Sequence, residues 1–394
     1  MKNYHTILVA LLAVSTLMNA SGTVVTDSFY SEALDATRYM KVYLPEGYST
    51  SIEDYPVIYF LHGGGSNHGS YSELYYHLDT LIGNGHVEPV IMVKPDASVG
   101  PYYGSCYTNS ALYGDFEDYI VYDLIEYIES AYRVIPSRSS RTIMGHSMGG
   151  SGALKLAFKH PDIYRAVVDH SGLVEYSVML QYYVPLILAA NGNTPPYTYN
   201  PNANVFTGVA FTLCGAFSPD TTDPPYYVDF ILDTQGNIDS TVYGLWRLHD
   251  TPYLAHQLQP ETIAIYLDCG ISDEYYCYPL HEALVESLDV LGISYQWHPY
   301  AGIHSNQLNV RFPIAIAFLD SVMCTGAEEG SQVTPATGDF LGATIFRGPL
   351  VLPTDRECRV FDISGREAMP HSLRPGIYFV VVDNSVTQKV IKVR

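Results

Sequence analysis

The feature that most constrains this chain is a short apolar run, Arg141 to Met144, that ends in Gly145-His146-Ser147-Met148-Gly149 and passes at once into the helix-like stretch Ser151 to His160. A strand that turns sharply into a helix packed back on it leaves little room for side chains at the bend. Glycine stands on both sides of the serine for that reason. Such a turn lifts a hydroxyl clear of the end of a sheet. The pentapeptide alone is a weak signal, and its strand-turn-helix setting is what gives it weight.

The rest of the chain supplies the sheet. Val57 to Leu61, Val90 to Val93, Thr142 to Met144, Ala166 to Val168, Ile263 to Leu267 and Ser294 to Trp297 are short apolar runs that read as buried strands. Phe116 to Tyr132, Ser151 to His160, Pro279 to Leu291 and Gln307 to Val322 carry helical spacing between them. In Phe116 to Tyr132 the residues Ile120, Leu124, Tyr127 and Ile128 share a face, leaving Glu117, Asp118 and Glu126 free to meet water. This alternation predicts an α/β fold, a mostly parallel sheet with helices on both faces. Between about residues 174 and 260 the alternation gives way to Tyr, Pro, Asn and Gly-rich sequence, read as an inserted cap that walls a pocket. Residues 325–339 read as a linker. Residues 340–394 read as a small all-β domain, with strands at Arg359 to Asp362, Ile377 to Val382 and Val386 to Val393 and turns at Ser364-Gly365 and Asp383-Asn384.

A chain of 394 residues with 20 Lys+Arg against 41 Asp+Glu carries a formal charge of -21, which disfavours nucleic acid and anionic membrane as partners. Lys2, the apolar stretch Ile7 to Met18 and the small residues Ala20, Ser21 and Gly22 read as a signal peptide over residues 1–22, too short for a membrane span. Export would expose Cys106, Cys214, Cys269, Cys277, Cys324 and Cys358 to an oxidising compartment. Their pairing stays open: Cys269 and Cys277 are close enough to clip a loop, and buried free thiols fit equally well.

A serine needs a base, an acid to orient that base, and donors for an oxyanion. The chain order Ser, Asp, His places the base after the last strand, where His304 stands in Ala301-Gly302-Ile303-His304; His298 lies within the strand itself. The candidates are Asp268, at the end of the preceding strand, and Asp273 and Glu274 beyond it. Asp273, on the loop, is the expected orienting acid, and Asp268 is expected to bond locally. His62-Gly63-Gly64-Gly65 ends another strand, so an amide of this loop, Gly64 with Gly63 and Gly65 as alternatives, and the Met148 amide are the expected oxyanion donors. Neither a metal nor a cofactor is expected. His281 in His-Glu-Ala-Leu-Val lacks the second histidine of a zinc protease helix.

The stretch from Ala131 to Gly172, with Tyr59 to Gly65, Leu267 to Glu274 and Ala301 to His304, resembles the α/β-hydrolase esterase family of feruloyl esterases, S-formylglutathione hydrolases and mycolyltransferases. The resemblance covers most of Thr23 to Val322, within an esterase domain expected over residues 23–324, and implies a serine ester hydrolase, with the family's catalytic residues falling on Ser147, Asp273 and His304 and its oxyanion donors on Gly64 and Met148. Residues 358–394, with Val360 to Arg366 and Pro375 to Val380, look like a C-terminal sorting domain of type IX secretion. That resemblance implies a secreted or surface-held protein with the export machinery as a partner. The expected substrate is an acetyl or feruloyl ester on carbohydrate. An acyltransferase with the same triad and a non-catalytic, surface carbohydrate-binding protein are the alternatives.

Overall fold

The structure, a computed structural model, describes residues 21–192, 195–200, 204–259 and 262–323, and the strand segments 343–346, 358–362, 376–382 and 385–392. The expected signal peptide lies outside the described residues up to position 20. So do the linker and the turns at Ser364-Gly365 and Asp383-Asn384. The chain divides into two compact units, Met1–Ala327 and Glu328–Arg394.

The larger unit is built on an eight-stranded sheet. Its strands are β1 (Thr23–Ser31), β2 (Ala36–Leu44), β3 (Val57–Leu61), β4 (Ile91–Pro95), β5 (Arg141–His146), β6 (Ala166–His170), β7 (Ala264–Gly270) and β8 (Gln296–Tyr300). They lie in the order β1-β2-β4-β3-β5-β6-β7-β8. The β1–β2 and β2–β4 pairs are antiparallel and all the others parallel, which confirms the expected α/β architecture. β8 begins two residues later than the apolar run suggested, and the hairpin β1–β2 was not foreseen.

Between the strands run α1 (Glu73–Gly83), α2 (Phe116–Asp118 continuing through a wider turn at Tyr119–Asp123 into Leu124–Ala131), α3 (Met148–Lys159), α4 (Tyr176–Asn191), α5 (Val205–Phe217), α6 (Ser240–Trp246), α7 (Thr251–Ala255), α8 (Cys277–Leu291) and α9 (Leu308–Val322). Side chains alternate across β3, and the two cores follow that alternation. Val57, Tyr59 and Leu61 pack in a cluster with Leu124 and Ile128 of α2 and Leu154 and Phe158 of α3. Ile58 and Phe60 join Leu74 and Leu78 of α1 and Phe312, Ile316 and Leu319 of α9. Every β3 side chain is therefore enclosed, and an unbroken apolar run is what such a position requires.

Glu117 corrects an expectation. It does not face water but is buried at the start of α2, with Lys159 Nζ 2.6 Å and His160 Nε2 2.9 Å from its carboxylate. Burial pushes its pKa up, but the His160 hydrogen bond and the nearby Lys155 and Lys159 charges win and hold it at about 2. A carboxylate below its unfolded value stabilises the fold above the unfolded pKa and loses that stabilisation as pH falls through the folded one. Glu117→Gln is therefore expected to flatten the loss of stability between about pH 5 and pH 2, where the wild type gives up on the order of 3 kcal/mol through this group. Urea unfolding across that range checks it.

The smaller unit forms a four-stranded sheet from β9 (Ala343–Phe346), β10 (Cys358–Asp362), β11 (Gly376–Val382) and β12 (Ser385–Lys392), in the order β9-β12-β11-β10. β10 to β12 stand within two residues of the expected strands. β9, paired in parallel with β12, was not expected.

Candidate active site

The bend after β5 is strained at its serine. Ser147 has φ +57° and ψ -121°, a conformation costly for any residue with a side chain and one that clusters at functional positions. Its amide is fixed by the His170 carbonyl at 2.8 Å. The flanking glycines are demanded by close approach: a Cβ on Gly145 would meet the Gly149 carbonyl oxygen at 2.2 Å, and one on Gly149 would meet the Leu61 oxygen at 2.0 Å. Backbone cannot swing aside as a flexible side chain can. Gly149→Ala is accordingly expected to cost on the order of 2–4 kcal/mol by wedging α3 away from β3. A shift of the thermal midpoint reports it.

His304 and Asp273 meet as the chain order led one to expect. His304 Nδ1 lies 2.8 Å from Asp273 Oδ2, both side chains being buried. Burial raises the Asp273 pKa, but the hydrogen bond and charge of His304 and the amides of Tyr275 and Cys277 more than offset this, so the carboxyl stays below its ordinary value. The Tyr275 amide donates to the other oxygen, Oδ1, at 2.8 Å. An ionised Asp273 fixes the imidazole with Nδ1 protonated, which leaves Nε2 as the free base.

Several residues that hold this arrangement had no assigned role. Glu274 Oε2 accepts the His304 amide at 2.9 Å. His146, the variable position of the Gly-x-Ser-x-Gly bend, donates from Nε2 to the His304 carbonyl at 3.0 Å and accepts the Tyr71 hydroxyl at Nδ1, 2.9 Å away. Burial lowers the His146 pKa to about 3, keeping it neutral so that one nitrogen can donate and the other accept. The His304 ring lies 4.8 Å from that of His146 and 4.6 Å from that of Tyr275. His298 stacks on Tyr266 at 4.8 Å, in the strand as expected.

Asp268 departs from expectation. It bonds far along the chain, to His170 Nδ1 at 2.7 Å and Arg311 Nε at 2.9 Å. Asp169, which precedes the His170 that pairs with Asp268, points to the opposite face as strand alternation requires, and meets His281 Nε2 at 2.9 Å. Burial alone would lower the His281 pKa, but Asp169 holds it well above the usual value. His281 thus anchors α8 beneath the bend. Breaking a buried pair leaves the surviving charge uncompensated, so His281→Ala is expected to lose about 3–5 kcal/mol, measurable by denaturant unfolding.

The loop after β3 is built to hold one amide free. The Gly65 amide donates to the Tyr103 carbonyl at 2.7 Å. The Gly63 amide lies against the Tyr71 hydroxyl. His62 accepts the Ala97 amide at Nε2 (3.0 Å) and donates from Nδ1 to the Gly63 carbonyl (2.9 Å), which pins the loop from below. The Gly64 amide has no partner among the described residues and lies beside Met148, whose amide opens α3 among the first-turn donors that no helix carbonyl satisfies. Ser147, His304, Gly64 and Met148 all line one cavity of about 390 Å³. The shared cavity, and no preformed hydrogen bond among the described residues, brings the serine hydroxyl and the imidazole together; such contacts are often loose before substrate binds. Tyr176, Tyr183, Val209, Leu213 and Phe217 form a further wall, from within the sequence expected to be a cap.

One possible ligand atom from each of Asp273, Cys277 and His304 lies within 4.8 Å of the other two. Their chemistry does not suit a metal, because the carboxylate and imidazole are already spent on each other. Burial and Asp273 also push the Cys277 thiol well above its usual pKa, against the thiolate a metal needs. Cys106, Cys214, Cys269 and Cys277 are all buried free thiols, so Cys269 and Cys277 do not clip the loop.

The family model described as "Putative esterase" matches residues 31–308. Esterase Rv1288 of Mycobacterium tuberculosis is 30% identical over 144 residues, 36% of this chain and 31% of that protein. An endo-1,4-beta-xylanase/feruloyl esterase of Xylanibacter ruminicola is 28% identical over 145 residues, 35% of this chain and 20% of that one. The chain thus spans no more than about a third of the length of these relatives. Among solved structures, a ferulic acid esterase superposes with a TM-score of 0.56 at 20% identity, covering 77% of this chain and 99% of that one. An S-formylglutathione hydrolase from Agrobacterium tumefaciens gives 0.54 at 18%, covering 77% and 96%. The fold is that of the α/β-hydrolases, and the match over residues 31–308 makes this chain a member of the esterase family.

Proposed function

We propose that the chain cleaves carboxylic esters through an acyl-enzyme on Ser147. His304 Nε2 takes the hydroxyl proton as Ser147 Oγ bonds to the carbonyl carbon, and the carbonyl electron pair moves to the oxygen. The amides of Gly64 and Met148 donate to that oxyanion. As the tetrahedral intermediate collapses, His304 returns the proton to the departing alcohol. Water then repeats the sequence on the acyl-enzyme and releases the acid. Asp273 keeps Nδ1 protonated and stabilises the imidazolium.

The observation that supports this reading above all is the 2.8 Å His304–Asp273 hydrogen bond, facing the same cavity as a serine in a strained bend. The expected substrate is an acetyl or feruloyl ester on carbohydrate, in keeping with the feruloyl esterase among its relatives. Export through the N-terminal signal and the C-terminal β unit completes the proposal and gives a secreted or surface-held enzyme. Among the described residues no helix is long and apolar enough to cross a membrane. The test is a panel of acetyl, feruloyl and longer acyl esters, on which wild-type turnover is expected and Ser147→Ala turnover is not. A panel that wild type leaves intact would reject the reading.

A further inference from the structure

The cavity extends well beyond the serine. Ser147, Ser151, Gly152 and Lys155 all line it, and their spacing of four, five and eight places them on one stripe of α3. Eight residues at 1.5 Å each carry that stripe about 12 Å along the helix axis. The cavity therefore runs beside α3 from Ser147 as far as Lys155, flanked by Leu173, Tyr176, Tyr183, Val209, Leu213 and Phe217, and the Phe217 ring centroid lies 5.7 Å from Lys155 Nζ.

Lys155 is out of place in such a lining. Its side chain is buried, and a buried ammonium is costly unless an anion or enough acceptors surround it. Its partners are neutral: the Cys106 carbonyl at 2.6 Å and the Thr108 hydroxyl. Glu117, the carboxylate whose charge reaches it, is engaged by Lys159 and His160. Two of three N–H donors are thus satisfied, with no ion pair among the described residues. Burial pulls the pKa down to about 7. A small acyl group would leave this donor facing an empty apolar space, and a saturated chain would press a methyl group against it. A flat, rigid acyl group with an oxygen at its far end would satisfy both the aromatic walls and the ammonium.

Resting on the esterase function proposed above, we propose that Lys155 determines acyl specificity, its Nζ donating to an acceptor oxygen at the distal end of an aryl acyl group such as 4-hydroxycinnamoyl. A 4-hydroxyl donates electrons into the ring and slightly deactivates the ester carbonyl. A preference for it must therefore come from binding.

The test compares methyl cinnamate with methyl 4-hydroxycinnamate on wild type and Lys155→Met. Wild type is expected to favour the hydroxylated ester in kcat/KM on the order of 10- to 100-fold, the range for a hydrogen bond to a charged group. Lys155→Met is expected to bring that ratio close to unity. A merely structural lysine would lower both esters alike and leave the ratio untouched, which overturns the proposal. The wild-type ratio decides even where the variant fails to fold, since a value near unity overturns it alone. Wild type that hydrolyses neither these nor any acetyl ester would remove the esterase reading and this inference together, a result distinct from activity without discrimination.

Discussion

Ser147→Ala is expected to lower kcat on the order of 10⁵ to 10⁶-fold for every ester the wild type hydrolyses, while leaving the fold and stability close to wild type. The size of the effect follows from what is removed. Without Oγ no acyl-enzyme can form, and His304, the oxyanion amides and substrate positioning can only assist direct attack by water. Residual catalysis from those parts is why the expected loss falls short of the full acceleration. The fold is spared because the bend is held by backbone contacts: the Ser147 amide to His170, and the approach of Gly149 to Leu61. Alanine preserves both. Steady-state kinetics and circular dichroism of the two proteins check the two halves of the prediction.

The second large effect belongs to Asp273→Asn, expected to cost about 10⁴-fold in kcat with little change in KM. Asp273 accepts from His304 Nδ1 through one oxygen and from the Tyr275 amide through the other. The Tyr275 amide can only donate, so the oxygen of the asparagine amide is drawn to it and the NH2 group faces His304. Nδ1 must then accept, the proton moves to Nε2, and the nitrogen that faces the cavity loses its lone pair. The base is present and correctly placed in the wrong tautomer. A loss far below 10³-fold would mean that Glu274, which holds the His304 amide at 2.9 Å, also orients the ring.

The parts of this site that were legible in the sequence are those tied to chain order. Ser147, Asp273 and His304 each sit in a loop just after a strand, and a parallel sheet brings such loops to one edge whatever the lengths between them. Their partners were not legible, since they depend on which elements lie side by side. Asp268 was expected to bond nearby, yet its partners His170 and Arg311 are 98 and 43 residues away. Glu117 looks like a solvent residue on a helix face until Lys159 and His160 arrive from α3 and its end. Nothing in Gly-His-Ser-Met-Gly tells that the histidine ring will carry the His304 carbonyl.

Secondary structure was legible where apolar periodicity was clean, and lost where it was not. α4 is apolar on nearly every side and contains Pro185, while α5 holds Gly208 and Gly215, so neither shows the amphipathic stripe of an exposed helix. Burial explains the pattern of α5, most of whose residues face protein, whereas α4 buries Tyr176, Met179, Leu180, Tyr183 and Ile187 along one face and is hidden because its exposed face, with Tyr182, Pro185, Ala189 and Ala190, is apolar as well. The loop donor shows the converse. Sequence favours Gly64 with Gly63 and Gly65 as alternatives, and what sets Gly64 apart in space is that Tyr71 and Tyr103, supplied by other segments, engage the other two amides.

The measurement that bears most directly on the central claim is mass spectrometry of the protein after reaction with a fluorophosphonate. A hydroxyl activated by His304 is expected to take up one phosphonyl group per chain, on the peptide that carries Ser147, with labelling lost in His304→Ala. Stable protein that takes no label, or takes it on another residue, would contradict the account.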